Sequence, residues 1–448
     1  TTCATWPARC TAATCSGRIE SEVREMSALR KNILSLTVLQ GANYLLPLVA
    51  IPYLLRVLGP DNFGRVAFAQ AFIQYFVILA DYGFNMTATR AIAKTDNNPS
   101  EISRIFNAVL ATKFSIMSAG FVLMSVIVCL VPSMRDQYAL FVVCYLAVVG
   151  NVIFPVWLYQ GLQRMTYITV FTVAARALTV GLIFLLVTNR EQYFLSAALM
   201  SAAMPLAGFG ALLYAFCIAP IKLSLPSMRS MKQMLGDGWH VFTASLGGTL
   251  YNGSTIFALG LLTSPAIVGY FAAADKLLKA IQSFINPISQ AVFPHVAKLF
   301  PQSGEQACLF VGRVLRIFML GGVLVAFALY VGSDLISHIL FGPQFTASAE
   351  LIRLLSGWPL VISLNVVFGA LLLVQLNWGK LLSLSILGPG LLHLALLYPV
   401  IRLAGAQGAA ILMLTTEALI LSIRFFGLLS KYRHETKLVL SEAFALRR

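Results

Sequence analysis

From Ile33 almost to its end, the chain alternates long apolar runs with short polar breaks. A run of about 20 apolar residues, coiled as an α-helix, spans a hydrocarbon core of about 30 Å. Twelve such helices are expected, at roughly 33–56, 62–84, 105–131, 138–159, 165–187, 192–219, 239–262, 266–297, 310–332, 350–375, 380–401 and 407–430. One motif occurs twice among them. Pro60, Gly64, Ala67 and Ala69 recur 205 positions later as Pro265, Gly269, Ala272 and Ala274, a P-x3-G-x2-A-x-A frame kept without a gap.

A polar stripe follows each frame at steps of three and four, the spacing of one helix face. The later stripe reads Asp275, Lys279, Gln282, Asn286 and Gln290, and the earlier reads Gln70, Gln74, Val77, Asp81 and Asn85. Lipid penalises such a stripe, so the two helices are expected to face a shared wet space. The repeat pairs helix 2 with helix 8, which gives six helices per half. An even number puts both halves in the membrane in the same orientation, a parallel repeat. The predicted fold is an all-α polytopic membrane protein, twelve transmembrane helices in two parallel six-helix lobes around a central polar cavity. The N-lobe is expected at 30–219, the linker at 220–238, the C-lobe at 239–430 and a basic tail at 431–448.

Charge in the connections sets the orientation. With the N-terminus inside, the inner side holds seventeen basic residues of the connections; the outer side holds Arg56, Arg65, Arg135, Arg190, Arg353 and Arg402. Both termini and the linker are therefore expected to be cytoplasmic. The tail alternates basic residues with Leu438, Leu440, Phe444 and Leu446, and reads either as a segment on the inner leaflet or as a frayed, solvated end. Residues 1–29 are expected to be disordered. Thr1–Glu25 has no apolar core like that of a signal peptide, and Met26 reads as a natural start, so residues 1–25 are expected to lie outside the native protein.

With 448 residues, 58% hydrophobic, 11% charged and a mean hydropathy of +0.82, the chain is too apolar for a soluble protein of this size. Its net charge of +15 punctuates the apolar runs instead of covering a face, which argues against nucleic acid as a partner. The seven cysteines include no C-x-x-C pair; Cys129, Cys144, Cys217 and Cys308 lie in or beside apolar runs and read as packing residues. The five histidines lack metal-ligand spacing and read as structural. No Ser-His-Asp set, phosphate-cradling Gly loop or sizeable extramembrane loop is present, so neither an enzyme nor a cofactor is expected.

Five ionisable residues, Arg176, Asp275, Lys276, Lys279 and Glu417, fall near the middle of their spans. Left in lipid, each costs about 2.5–3.5 kcal/mol, on the order of 12–17 kcal/mol together, so they must face a cavity or one another. Asp275 and Lys279 are spaced to neutralise each other along one helix. Lys276 either lines the same cavity or pairs with Glu417. Arg176 lines the cavity or tethers two helices. Lys113, Asp81 and Arg424 lie nearer the cytoplasmic ends, where snorkelling relieves their burial; Arg424 reads as an interfacial anchor. The eight together carry five positive and three negative charges. A wet cavity with a cationic surplus suits an anionic, phosphate-bearing substrate, while Asp81, Asp275 and Glu417 could carry coupling protons or sodium ions. Pro47 and Pro52, Gly247, Gly248 and Gly253, and Pro287 and Pro294 soften helices 1, 7 and 8, as alternating access requires.

Asn43-Tyr44-Leu45-Leu46-Pro47, the run from Pro52 through Arg56 to Gly64, Asp81-Tyr82-Gly83-Phe84-Asn85 and Tyr159-Gln160-Gly161 resemble the Wzx (RfbX) polysaccharide flippases. These belong to the multidrug/oligosaccharidyl-lipid/polysaccharide exporter superfamily. The resemblance implies a bacterial inner-membrane protein that moves an undecaprenyl-pyrophosphate-linked oligosaccharide from the cytoplasmic to the periplasmic leaflet. That step supplies O-antigen, capsule or exopolysaccharide assembly, with a polysaccharide polymerase and a chain-length regulator as further partners beside membrane lipids. The family's cationic lumen matches Lys113, Arg176, Lys276 and Lys279, and its motifs carry over Arg56 and Asp81. In this reading the pyrophosphate meets the basic residues, and Gln70, Gln74, Gln282, Asn286 and Gln290 contact the sugars. The alternative is a cation-coupled small-molecule or multidrug antiporter of the same superfamily, which calls for carboxylates in the N-lobe, where only Asp81 is available.

Overall fold

The computed structural model describes residues 49–95 and 98–444, apart from the side chains of 244–252. The segment 1–29 and most of the first expected helix lie outside the described residues. Among the described residues the fold is helical throughout. Seven segments are long and apolar enough to cross a membrane, or eight with the bent pair Pro343–Leu354 and Trp358–Leu373 taken as one span.

The first helical stretch, 49–81, turns at Gly59, whose φ of 72° no right-handed helix accommodates. It divides into α1 (49–58) and α2 (60–81). A second left-handed break at Tyr82-Gly83 precedes α3 (Phe84–Ala93). Pro99 at the first position and the Asn98 side chain, which accepts from the Ser100 amide, start α4 (Pro99–Leu130). Then follow α5 (Tyr138–Gly161, interrupted at Phe154-Pro155), α6 (Met165–Leu186) and α7 (Tyr193–Ile218).

Ser227 caps α8 (Met228–Leu262), which therefore begins inside the stretch expected to be linker. Only residues 219–227 connect the halves without helix. Next come α9 (Pro265–Gln302) and α10 (Gly304–Ile336), then α11 (Thr346–Leu354) and α12 (Trp358–Val366), which continues as a π-helical turn, Val367–Leu373. The segment Gly379–Lys431 is broken at Gly405 (φ 56°) into α13 (379–404) and α14 (406–431).

The repeated frame marks where α2 and α9 cross. A Cβ on Gly64 would lie 1.9 Å from the Pro265 carbonyl oxygen, and one on Gly269 would lie 2.0 Å from that of Pro60. Each glycine thus receives the carbonyl of the other copy's proline. Small residues at such a crossing let two membrane helices approach backbone to backbone.

The core has three parts. The largest joins both halves, with Phe68, Phe72 and Ala69 of α2 packed with Phe271, Ala273 and Ala274 of α9 and with Phe341 and Phe345. The other two stay within their own halves, one around Phe106, Trp157 and Tyr159, the other around Val311, Phe318 and Leu371. The halves are therefore fused at the end bearing the 187–193 and 337–345 connections, and hold separate cores at the other. Cys144 and Cys308 are buried, and Cys129 and Cys217 are exposed; all four thiols are free.

As far as Phe444 the tail is ordered and not frayed. It forms α15 (Arg433–Phe444), which packs on α10: Arg316 donates to the carbonyls of Glu442 and Ala443, Arg313 pairs with Glu442 at 3.2 Å, and Val439 is fully buried. Thr436, Val439 and Ala443 form its buried face, and Val439 and Ala443 join the cluster of Cys308 and Val311. Truncation after Lys431 uncovers that cluster. It should lower unfolding stability by about 2–4 kcal/mol, read as a lower thermal midpoint in detergent.

Candidate functional site

From their crossing at Gly64 and Gly269, α2 and α9 enclose a cavity of about 440 Å³. Gln70, Gln74 and Val77 of α2 line one wall, and Asp275, Lys276 and Lys279 of α9 the other. Cys144 and Ala147 of α5, Met200 and Ser201 of α7, and Gly253 and Ile256 of α8 complete it. The cavity thus lies between the halves, where the paired stripes are expected to meet. Gly269 and Lys279 are ten residues apart, about 15 Å along a helix, so the close crossing and the charges occupy successive levels of α9.

The Lys279 ammonium donates to Asp275 at 2.7 Å, so the intrahelical pair forms and lines the cavity at once. Asp275 is buried and Lys279 is nearly half exposed to the cavity side. Lys276 also lines the cavity. Two ammonium groups against one carboxylate leave a net charge of +1. These side chains present charge-assisted donors to whatever occupies the space.

Contacts between the halves flank the cavity at both ends. Toward the fused end, Phe257 stacks on Phe68 and Phe72, with ring centroids 5.7 and 5.3 Å apart. Farther out, Arg56 donates to the Ile339 carbonyl across the halves, while Tyr53 and Asn62 brace the N-terminal half itself by donating to the carbonyls of Val187 and Arg190. At the opposite end Tyr82 stacks on Phe242 at 4.6 Å, and Val241 lies against Gly83.

Several expected site residues lie elsewhere. Arg56 is exposed at the fused end and ties the two halves together there, because the turn at Gly59 ends α1 against the 337–345 connection. Gln282, Asn286 and Gln290 continue along α9 past the cavity and do not line it. Lys113 does not snorkel: its side chain is 1% exposed, with Nζ 2.9 Å from the Asn151 carbonyl and 3.6 Å from Asp81. Asp81 in turn accepts from Asn85 at 2.6 Å. Arg176 lines a separate cavity of about 240 Å³ with Asn85, Asn151 and Thr172 inside the N-terminal half. The side-chain oxygens of Asn85 and Asn151 are buried there and find no partner among the described residues. Asn151, the lone carboxamide in its apolar run, was the signal for this cluster.

Glu417 is buried and accepts from Asn365 at 2.9 Å. Arg424 is not an interfacial anchor. It is 7% exposed and donates to Ser385 and to the Asn365 carbonyl, its guanidinium resting against Gly369 of the π-helical turn. Removal of the guanidinium would leave these buried acceptors without their donor. His393 is buried between Thr255 and Thr416, at 3.2 and 3.0 Å. Among the described residues no group of three or more His, Cys, Asp or Glu side chains is placed to hold a metal ion.

The helical fold is similar to those of solved multi-pass membrane transporters. An inward-facing multidrug-resistance transporter of the MATE family aligns with a TM-score of 0.66 at 14% identity, over 91% of this chain and 98% of that one. The lipid II flippase MurJ, in an inward closed conformation, aligns with a TM-score of 0.70 at 9% identity, over 92% and 90%. The chain belongs to the polysaccharide biosynthesis protein family, whose model matches residues 29–300. A relative from Escherichia coli K12 that bears the name O-antigen transporter is 33% identical over 88% of this chain and 95% of its own length. Another, from Haloferax volcanii and named a low-salt glycan biosynthesis flippase, is 22% identical over 82% of this chain and 76% of its own. The protein is a multi-pass membrane protein of a transporter family, as the resemblance to the Wzx flippases implies.

Proposed function

We propose that the protein flips an undecaprenyl-pyrophosphate-linked oligosaccharide from the cytoplasmic to the periplasmic leaflet of a bacterial inner membrane by alternating access. The observation that carries this reading is the cavity between the halves, with Lys276 and Lys279 on one wall and Gln70 and Gln74 on the other. A pyrophosphate meets the ammonium groups, the sugars meet the carboxamides, and the polyprenyl tail stays in lipid between the halves. The named transporters and flippase among the relatives support this direction.

In the proposed architecture twelve helices form two six-helix lobes, 30–219 and 239–430, joined by 220–238, with both termini cytoplasmic. The breaks at Gly59 and Gly405 support this count, because each divides a long helical stretch in two. The lobes rock about their fused end, opening the cavity at the end where Tyr82 meets Phe242 and Gly83 meets Val241. Lys113, Arg176 and Asp81 then form a second charged cluster inside the N-lobe, where Asp81 is a candidate for ion coupling. Asp275 and Glu417 are the candidates in the C-lobe. A polymerase and a chain-length regulator would receive the product.

The test uses purified protein in sealed liposomes that hold a fluorescent polyprenyl-pyrophosphate oligosaccharide. A membrane-impermeant quencher reports how much of the lipid crosses. Rapid equilibration that requires the pyrophosphate is expected. A static lipid together with uptake of a cationic dye against a proton gradient would transfer the protein to the antiporter class.

A further inference from the structure

Away from the central cavity, the 219–227 connection is pinned to the start of α4. Asn107 donates to the Lys222 carbonyl at 2.8 Å and to Ser224 at 3.2 Å, and the Ser103 hydroxyl accepts from the Lys222 amide at 3.1 Å. Asn107 and Ser103 are 6% and 8% exposed, so the clip is a buried, built feature. Under it lies a cavity of about 700 Å³ lined by Arg104, Lys222, Asn107 and five serines, with no acidic side chain. Among the described residues neither Arg104 nor Lys222 has an ion-pair partner. The space is far larger than one ordered water needs, about 30 Å³ in the liquid.

Asn107, Ser224, Leu225 and Pro226 also line a second, apolar groove of about 550 Å³, which runs along α4 past Leu110 to Phe114. Beyond Phe114 the same helix exposes Val122, Leu123 and Val126, the side chains that a bilayer covers. Leu223 and Leu225, 69% and 99% exposed on a non-helical segment, overhang the groove. A cationic, hydroxyl-rich chamber thus opens directly into an apolar channel that faces lipid. Its residues are all distinct from those of the central cavity.

We propose that this paired chamber and groove is a binding site for an anionic phospholipid of the adjoining leaflet. The phosphodiester sits between Arg104 and Lys222, the serines donate to its headgroup, and one acyl chain lies along Leu110 and Phe114. Opposite charge selects the headgroup, and the groove separates a lipid from a free phosphate ion. The bound lipid holds the 219–227 connection against α4, at the joint between the halves. This site is independent of what the central cavity carries.

The experiment reconstitutes the full chain with phosphatidylglycerol carrying a photoreactive diazirine on an acyl chain, and maps the labelled peptides. Labelling is expected at 107–115 and 220–227. It should fall about 25-fold in Arg104→Gln/Lys222→Gln, roughly fivefold for each basic residue, and persist in Arg104→Lys/Lys222→Arg. Both side chains are exposed, so the first variant leaves the core intact. Equal labelling by the phosphatidylcholine analogue, or labelling unchanged in the Gln variant, overturns the proposal. Displacement by polyprenyl pyrophosphate but not by unlabelled phosphatidylglycerol would assign the groove to a substrate lipid instead. Displacement by inorganic phosphate alone would reduce it to an ion site. Both overturn it.

Discussion

Replacing Lys276 with Gln lowers transfer of the polyprenyl-pyrophosphate oligosaccharide about 10- to 100-fold, while the protein stays folded. The ammonium lines the cavity without a carboxylate one helical turn away, whereas Lys279 already serves Asp275 at 2.7 Å. Lys276 therefore has the freer charge to offer an anionic group. A hydrogen bond to a charged group contributes about 1.5–3 kcal/mol, and 1.4 kcal/mol is a factor of ten. Gln keeps most of the length and a donor, so the loss reports the charge. Lys279→Gln should have a smaller effect on binding and a larger one on stability, because it leaves the buried Asp275 carboxylate unpaired. The liposome assay, run with thermal unfolding on the same samples, separates the two. Full transfer by both variants would remove the α9 lysines from the substrate site.

Gly64→Val and Gly269→Val are each expected to abolish assembly of the two halves. Their Cβ atoms would lie 1.9 and 2.0 Å from a proline carbonyl oxygen, closer than any side chain can approach, and the obstacle is backbone that no rotamer change removes. Overpacking in a well-packed core costs about 1–3 kcal/mol, and this geometry belongs at or above that upper figure. Gly181→Ala in α6 is the control. Nothing lies within 4 Å of its Cβ, and it should be neutral or slightly stabilising, since Ala is the better helix former. Thermal midpoints and monodispersity on size exclusion measure the difference. A Gly64→Val protein with an unchanged midpoint would show that the crossing is not needed to hold the halves together.

The apolar runs located most helices to within several residues, because lipid leaves a helix no other place for its backbone polar groups. The exceptions follow from the same physics. Outside the bilayer the apolar signal stops while hydrogen bonding continues, so α8 extends back to Met228 through Arg229 and Lys232. The tail alternates basic and apolar residues and gives no cue that α10 will cover its apolar face.

By itself the sequence determined the membrane class, the family and the repeat, and the repeat was enough to bring Gln70, Gln74, Asp275 and Lys279 to one cavity. Spacing along a helix fixes which side chains share a face, so that much is local. Tertiary structure alone decided the fate of the remaining charges. Lys113 and Arg424 could have snorkelled, but Asn151 and Asp81 capture the first, and Asn365 and Ser385 the second. Arg56 left the cavity for the Ile339 carbonyl across the halves, a partner 283 residues away. A buried charge goes to whichever acceptors satisfy it in three dimensions, and their distance along the chain carries no trace of that choice.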